Sequence, residues 1–232
     1  YEDIGERMVG DIDFIVSEDF FLKTIRILND NKYKKNEIKK TQLKPIDPIF
    51  IKHHPRLFKE NRIAAVEVHK RIIKGKQTSF FDYKKICNSL IKSNNASFLS
   101  NSNKLTLTIL SDQYSDLGYR FKTLNLRNTY DVFLLSKKFN YLENINVNFF
   151  NIINNYLLVS SFFLNNIISY KKTLNSKIHL KILILKIDYP YFSYIHTQFW
   201  KKYIFFRIKV KSAFNFFLNK EFRNYYLRKL NP

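Results

Sequence analysis

Two short apolar runs near the start of the chain are each interrupted by carboxylates. Ile12, Phe14, Ile15 and Val16 surround Asp11 and Asp13, and Ala64, Ala65, Val66 and Val68 surround Glu67. Successive side chains of a strand point to opposite faces, so residues i and i+2 share a face, about 6.6–6.8 Å apart along the backbone. The pattern predicts a buried strand from Asp11 with both aspartates on one face. It predicts a second strand over Ala64–His69, with Glu67 and His69 on one face and Val66 and Val68 on the other. Between them, Phe21, Leu22, Ile25 and Leu28 recur at helical spacing, and Ser17 followed by Glu18 and Asp19 reads as a helix start, so a helix is expected from Glu18 to Asn29. Asn29-Asp30-Asn31 ends it, and Lys32–Lys44 reads as a polar, basic connection. Ile49–Phe58 is expected to be an edge strand interrupted by Pro55, turning at Lys59-Glu60-Asn61 into a hairpin that presents Glu67.

Past Lys74-Gly75-Lys76 the pattern changes to long Lys, Asn, Phe, Leu and Ile segments with few Gly or Pro. Helices are expected over Tyr83–Lys92, Lys104–Ser115, Leu124–Lys138, Phe149–Tyr170 and several stretches from His179 onward. The fold class is therefore α+β: a small mixed-sheet core over residues 1–78, then a mainly α-helical region over 79–232. Tyr156–Leu164 is the most apolar run and falls well short of the ~20 residues that span a bilayer, so no membrane association is expected.

Charge and composition narrow the partners. With 40 Lys and Arg against 19 Asp and Glu in 232 residues, the formal charge is +21, which attracts nucleic acid, nucleotides or an anionic surface. Codon bias toward Lys, Asn and Ile accounts for such a composition equally well, and both readings stand. The C-terminal stretch Tyr203–Leu230 interleaves Phe and Tyr with Lys and Arg, a combination that stacks bases and neutralises phosphates, or that forms an aromatic core with a basic exterior. The single cysteine, Cys87, excludes an internal disulfide and a multi-cysteine zinc site and fits a reducing, cytoplasmic compartment. No basic-then-apolar leader precedes the first strand, and the chain opens on Tyr1-Glu2-Asp3 without Met, so the core is expected to be N-terminally truncated.

The alternating Asp11-Ile12-Asp13 suits a divalent cation, or alternatively a solvated edge; unpaired carboxylates beside a core are costly, so a metal or a basic partner is wanted. Glu67 offers a third carboxylate. His53 and His54 are adjacent and point to opposite faces of any strand, so they do not both ligate one ion.

Glu6-Arg7-Met8-Val9-Gly10-Asp11-Ile12-Asp13-Phe14-Ile15-Val16, then Val66-Glu67-Val68-His69, and later Leu126-Arg127-Asn128-Thr129-Tyr130-Asp131 resemble, in order, the motifs of the uncharacterised nucleotidyltransferase family in the polymerase-β-like superfamily. The resemblance implies metal-dependent transfer of a nucleoside monophosphate from an NTP to an acceptor hydroxyl, with release of pyrophosphate. Asp11, Asp13 and Glu67 would be the catalytic metal ligands for two Mg2+ ions about 3.5–4 Å apart, and Arg7 and His69 substrate-binding residues. The acceptor would be an RNA end, a protein side chain or a small molecule. Arg127 and Asp131, at i and i+4, read first as a helix pair and second as an active-site rim. Two departures from the family pattern matter. No Gly-Ser or Lys-Gly phosphate-binding element precedes Asp11, which leaves a truncated or a degenerate relative open, and Ser111-Asp112-Gln113-Tyr114 stands where the family often has a His. A non-catalytic basic binding protein is the alternative function; a metal nuclease using Asp13, Glu67 and Lys70 is the third reading.

Overall fold

The structure, a computed structural model, describes residues 10–35, 52–73, 79–94, 96–137, 141, 145–165, 168–220, 222–224 and 227. Strand β1 (Asp11–Ile15) is followed by helix α1 (Glu18–Asp30), the short strands β2 (Lys34–Lys35) and β3 (Leu57–Phe58), and β4 (Ala65–His69). They form one mixed sheet in the order β1-β4-β3-β2. β1 runs parallel to β4, with Asp11 opposite Ala65, Asp13 opposite Glu67 and Ile15 opposite His69. β4 has a neighbour on each side, and all five of its residues are buried. Among the described residues β1 has only one neighbour, so Ile12 is 53% exposed and the strand is half-open, not buried as its apolar residues predict.

Of the expected arm Ile49–Phe58, residues 49–51 lie outside the described residues, and over 52–58 only Leu57–Phe58 forms a strand. Leu57 pairs with Val66, and His53 makes an isolated bridge to His69. Pro55 sits between them and cannot donate to the ladder, which breaks the strand there. The turn closes with Arg62 N donating to Lys59 O at 3.2 Å, and Asn61 takes the left-handed conformation such a turn requires (φ 60°). In α1, Ile25 is buried and Phe21 and Leu28 are half-buried, whereas Leu22 points to solvent at 66% exposure. One helical step separates Phe21 and Leu22 by about 100°, so a narrow stripe cannot hold both.

The remainder is helical: α2 (Tyr83–Cys87), α3 (Asn101–Leu110), α4 (Gly118–Phe121), α5 (Leu126–Ser136), α6 (Phe150–Phe163), α7 (Leu174–Asp188) and α8 (Pro190–Leu218). α2 is shorter than its pattern suggests, because Ile91–Ser93 enters a two-stranded hairpin with Ala96–Phe98. Ser111–Ser115 continues α3 as one π-helical turn, with the carboxylate of Asp112 buried and accepting from Asn125 N at 3.3 Å. Burial pushes the Asp112 carboxyl above the ordinary carboxylate range. Pro190 at the first position of α8 explains the break from α7: it has no N–H to donate and forces Tyr189 into an extended conformation.

α6 is the central helix, buried from Ile152 through Ser161. Its Ile153, Tyr156 and Leu157 pack with Leu105, Ile109 and Val132, and with Ile72 and Ile73 just beyond β4. Ile15 of β1 lies against the same cluster, so one apolar core ties the sheet to the helices. α8 contrasts with α6 in having no buried residue along its length. Among the described residues, no helix is long and apolar enough to cross a membrane.

Candidate metal centre

The parallel register sets the site. Asp13 stands opposite Glu67, and the period-2 geometry of both strands puts Asp11, Asp13, Glu67 and His69 on one face of the sheet. His69 Nε2 lies 3.1 Å from Asp13 Oδ1 and 3.4 Å from Glu67 Oε2. Both neighbours are acceptors, so in this arrangement the Nε2–H of His69 donates between two carboxylates. On the other side of Glu67, Arg56 Nε donates to Glu67 Oε1 at 2.7 Å, while Arg56 Nη2 lies 2.6 Å from Asp11 Oδ2. Glu67 is thus the hub: one oxygen is shared with Asp11 through a guanidinium, the other with Asp13 through an imidazole.

Exposure differs sharply across the cluster. The Glu67 and His69 side chains are each 11% exposed, Asp11 21% and Asp13 64%. The inner carboxylate is held by the buried central strand, and the outer ones line the open edge. His53 completes the inner side, its Nδ1 3.5 Å from Glu67 Oε2 and its ring 4.8 Å from that of His69. The Nδ1–H of His53 also donates to His54 O at 2.9 Å, whereas His54 turns away and its Nδ1–H donates to Pro55 O at 2.8 Å. Of the two adjacent histidines, His53 alone touches the carboxylate cluster among the described residues.

Electrostatics follow the contacts. The hydrogen bond from His69, aided by the charges of His69, Lys52 and His53 and opposed by burial, holds the Asp13 carboxyl below the usual carboxylate range. The bond from Arg56 to Glu67, with the nearby charges of Asp11 and Glu67, raises the Arg56 guanidinium further above its already high value. One ligand atom each from Asp13, Glu67 and His69 lie within 4.8 Å of one another, close enough to share an ion. Two carboxylate oxygens and one imidazole nitrogen form a donor set that fits a divalent cation with positions left open.

Most of the residues singled out in the sequence thus meet here. Asp11, Asp13, Glu67 and His69 share the sheet face, with Asp11 joined through Arg56 rather than within the three-residue ligand group. Arg7 lies outside the described residues. Lys70 stacks on the Phe21 ring at 5.7 Å. Arg127 and Asp131 lie in α5, whose N-cap Asn125 accepts from Arg127 N and Asn128 N. Arg56 and the inward role of His53 went unread in the sequence; the signal available was their position in the arm pairing antiparallel to the Glu67 strand.

Comparison with curated proteins and with solved structures found no match. Residues 1–148 match a protein family described as uncharacterised nucleotidyltransferase, and they include the Asp11–Val16, Val66–His69 and Leu126–Asp131 motifs. The match covers well over half of the 232 residues, and the chain belongs to this family of uncharacterised nucleotidyltransferases.

Proposed function

We propose that the chain is a metal-dependent nucleotidyltransferase that moves a nucleoside monophosphate from an NTP to an acceptor hydroxyl, releasing pyrophosphate. The observation that carries this is the Asp13, Glu67 and His69 group, set by parallel register on two strands of a family member and closing within 4.8 Å. Asp13, Glu67 and His69 would hold one divalent ion, and Asp11 with Asp13 and Glu67 a second, Mg2+ being the expected metal. When bound, such ions neutralise the triphosphate and favour ionisation of the attacking hydroxyl.

The chain's own residues supply the rest. Glu67, fixed on the buried strand, sets the depth of the site, and His53 and His69 restrict its side chain to one orientation. Asp13, on the open edge, faces solvent where a triphosphate and acceptor can approach. Arg56 is positioned between Asp11 and Glu67 to keep two neighbouring carboxylates together before substrate arrives. Its half-exposed guanidinium would then meet phosphate oxygens, a role the family resemblance also gives Arg7. The acceptor would be an RNA end, a protein side chain or a small molecule.

The test is incubation of the chain with α-labelled NTPs and Mg2+ or Mn2+, together with total cellular RNA and protein. Label should move to one acceptor class, and Asp13→Asn should reduce transfer on the order of 10²-fold or more, the scale of losing one preorganised electrostatic contact. A second reading is favoured by one observation: Arg56 and His69 already bridge the carboxylates in pairs, as in a degenerate relative that binds nucleic acid without catalysis. It predicts salt-sensitive RNA retention without metal and no label transfer.

A further inference from the structure

Where α4, α7 and α8 meet, cations gather without carboxylate partners. Lys122 Nζ donates to His179 Nδ1 at 3.1 Å and lies 4.2 Å from the centre of the Tyr119 ring. Lys186 Nζ donates to Phe121 O. The Arg120 guanidinium stacks 5.4 Å from the Trp200 ring centre. Among the described residues, none of these three cations forms a salt bridge. Among the described residues their partners are neutral: an imidazole, aromatic faces, a backbone carbonyl.

Lys122 also lines a groove of about 370 Å³ with Tyr119, Asn175, Ile178 and His179, within the usual range for small-ligand sites. Asn175 and Ile178 belong to the first turns of α7, whose N-terminus carries the positive end of the helix dipole. Asn155, fully buried beneath, donates to Asn175 Oδ1 at 2.9 Å, which leaves the Asn175 NH2 as a donor. A further donor without an acceptor lies close by. Trp200 Nε1 donates to His196 Nε2 at 3.2 Å, so the neutral imidazole carries its proton on Nδ1, and among the described residues that buried nitrogen has no hydrogen-bond partner. The charges of Lys186 and Lys122 both reach His196. Lys122 itself closes α4 as a left-handed C-cap (φ 51°), its N–H donating to Gly118 O.

We propose that this groove binds a phosphate group, with Lys122 as its principal ligand. The Asn175 amide and the α7 N-terminus supply further donors, Lys186 and Arg120 supply field, and the Tyr119 and Ile178 walls leave room for an attached apolar or aromatic moiety. A half-buried ammonium facing only neutral groups is destabilising, and a doubly charged oxyanion with several acceptor oxygens is the ligand that relieves it. Burial lowers the Lys122 ammonium to about 8, as expected for a cation whose counter-charge has yet to arrive. The proposal is independent of the metal centre, which gives it a clean test.

Inorganic pyrophosphate is titrated into the chain by calorimetry in EDTA at about 0.15 M salt, where the Debye length is near 8 Å and diffuse attraction to the basic surface is screened. Saturable binding is expected, weakened at least 10-fold in Lys122→Met and retained in Lys122→Arg and in Asp13→Asn. Lys122→Met removes a half-buried charge while keeping an apolar stem, so its melting temperature should equal or exceed that of the parent, which guards against misreading a folding defect. Competition by AMP assigns the site to a soluble nucleotide, and competition by an oligonucleotide without terminal phosphates assigns it to a chain phosphate; either supports the proposal. Pyrophosphate binding of equal strength in Lys122→Met, or no saturable binding in the parent, overturns it.

Discussion

Replacing Glu67 with Gln tests whether one carboxylate organises the whole site. The Glu67 side chain is 11% exposed and accepts from Arg56 at Oε1, while His69 and His53 approach Oε2 at 3.4 and 3.5 Å. The substituted amide still accepts from Arg56 through its oxygen, but its NH2 then faces two imidazole N–H groups. Losing a largely buried, charge-assisted contact of this kind costs about 1.5–3 kcal/mol. For a domain of this size each kcal/mol shifts Tm by roughly 2–4 °C, so Glu67→Gln should melt roughly 3–12 °C lower in EDTA. Asp13→Asn provides the contrast: its side chain is 64% exposed with one imidazole contact, and exposed pairs are worth about 0.2–1 kcal/mol, so the shift in EDTA should stay within roughly 4 °C. Adding Mn2+ at about ten times the parent's Kd should raise the stability of the parent by about 1.4 kcal/mol and that of each variant by no more than about 0.4 kcal/mol. Thermal melts by circular dichroism with and without Mn2+ read both effects. A shift of Glu67→Gln in EDTA below roughly 3 °C, or full Mn2+ stabilisation of Glu67→Gln, would refute the placement of Glu67 as the hub.

Gly118→Ala should cost about 1–3 kcal/mol by chemical denaturation, because a Cβ there would lie 2.7 Å from Gln113 Nε2 and 2.9 Å from the backbone Asp112 O; an unchanged denaturation midpoint would contradict it. Burial, reinforced by the charge of Lys122, depresses His179 to about 3, so between the ordinary value of 6.5 and 3 the unfolded chain binds a proton that the folded chain does not. Stability should therefore fall as pH drops through that window, with a contribution of up to about 1.4 kcal/mol per pH unit, and His179→Gln should flatten the profile; parallel profiles would show the prediction wrong. Phe206 and Phe217 on α8 are 67% and 75% exposed, so Phe206→Ser and Phe217→Ser should each move stability by no more than about 0.5 kcal/mol, and a larger loss would mean that α8 is packed in solution.

How much of this was legible in the sequence depends on how local each determinant is. Asp11-Ile12-Asp13 and Glu67-Val68-His69 were readable because strand alternation alone assigns their faces, and α1 because its stripe and acidic first turn agree. Register was not readable: nothing local in either run fixes Asp13 opposite Glu67, which follows from how the two strands pack. The half-open state of β1 was missed because apolar residues mark a strand without revealing whether it gains one neighbour or two. Arg56 was missed because a charged residue beside Pro55 reads as a solvated arm until the hairpin folds it over Glu67. In the helical region, Tyr83–Cys87 stops early because Ile91–Ser93 finds a hairpin partner, a pairing that outweighs helical periodicity. Lys122 and Lys186, which have no carboxylate partner among the described residues, lie 64 positions apart in sequence, so only the packing of α4 against α7 and α8 brings them into one cluster.

The most direct test of the central claim is pulsed electron paramagnetic resonance of the chain with one equivalent of Mn2+. If Asp13, Glu67 and His69 hold a divalent ion, the spectrum carries a directly coordinated nitrogen coupling that disappears in His69→Gln, and Asp13→Asn weakens Mn2+ binding by at least 10-fold. Mn2+ bound without any nitrogen coupling, or with an affinity unchanged by both substitutions, would contradict the account.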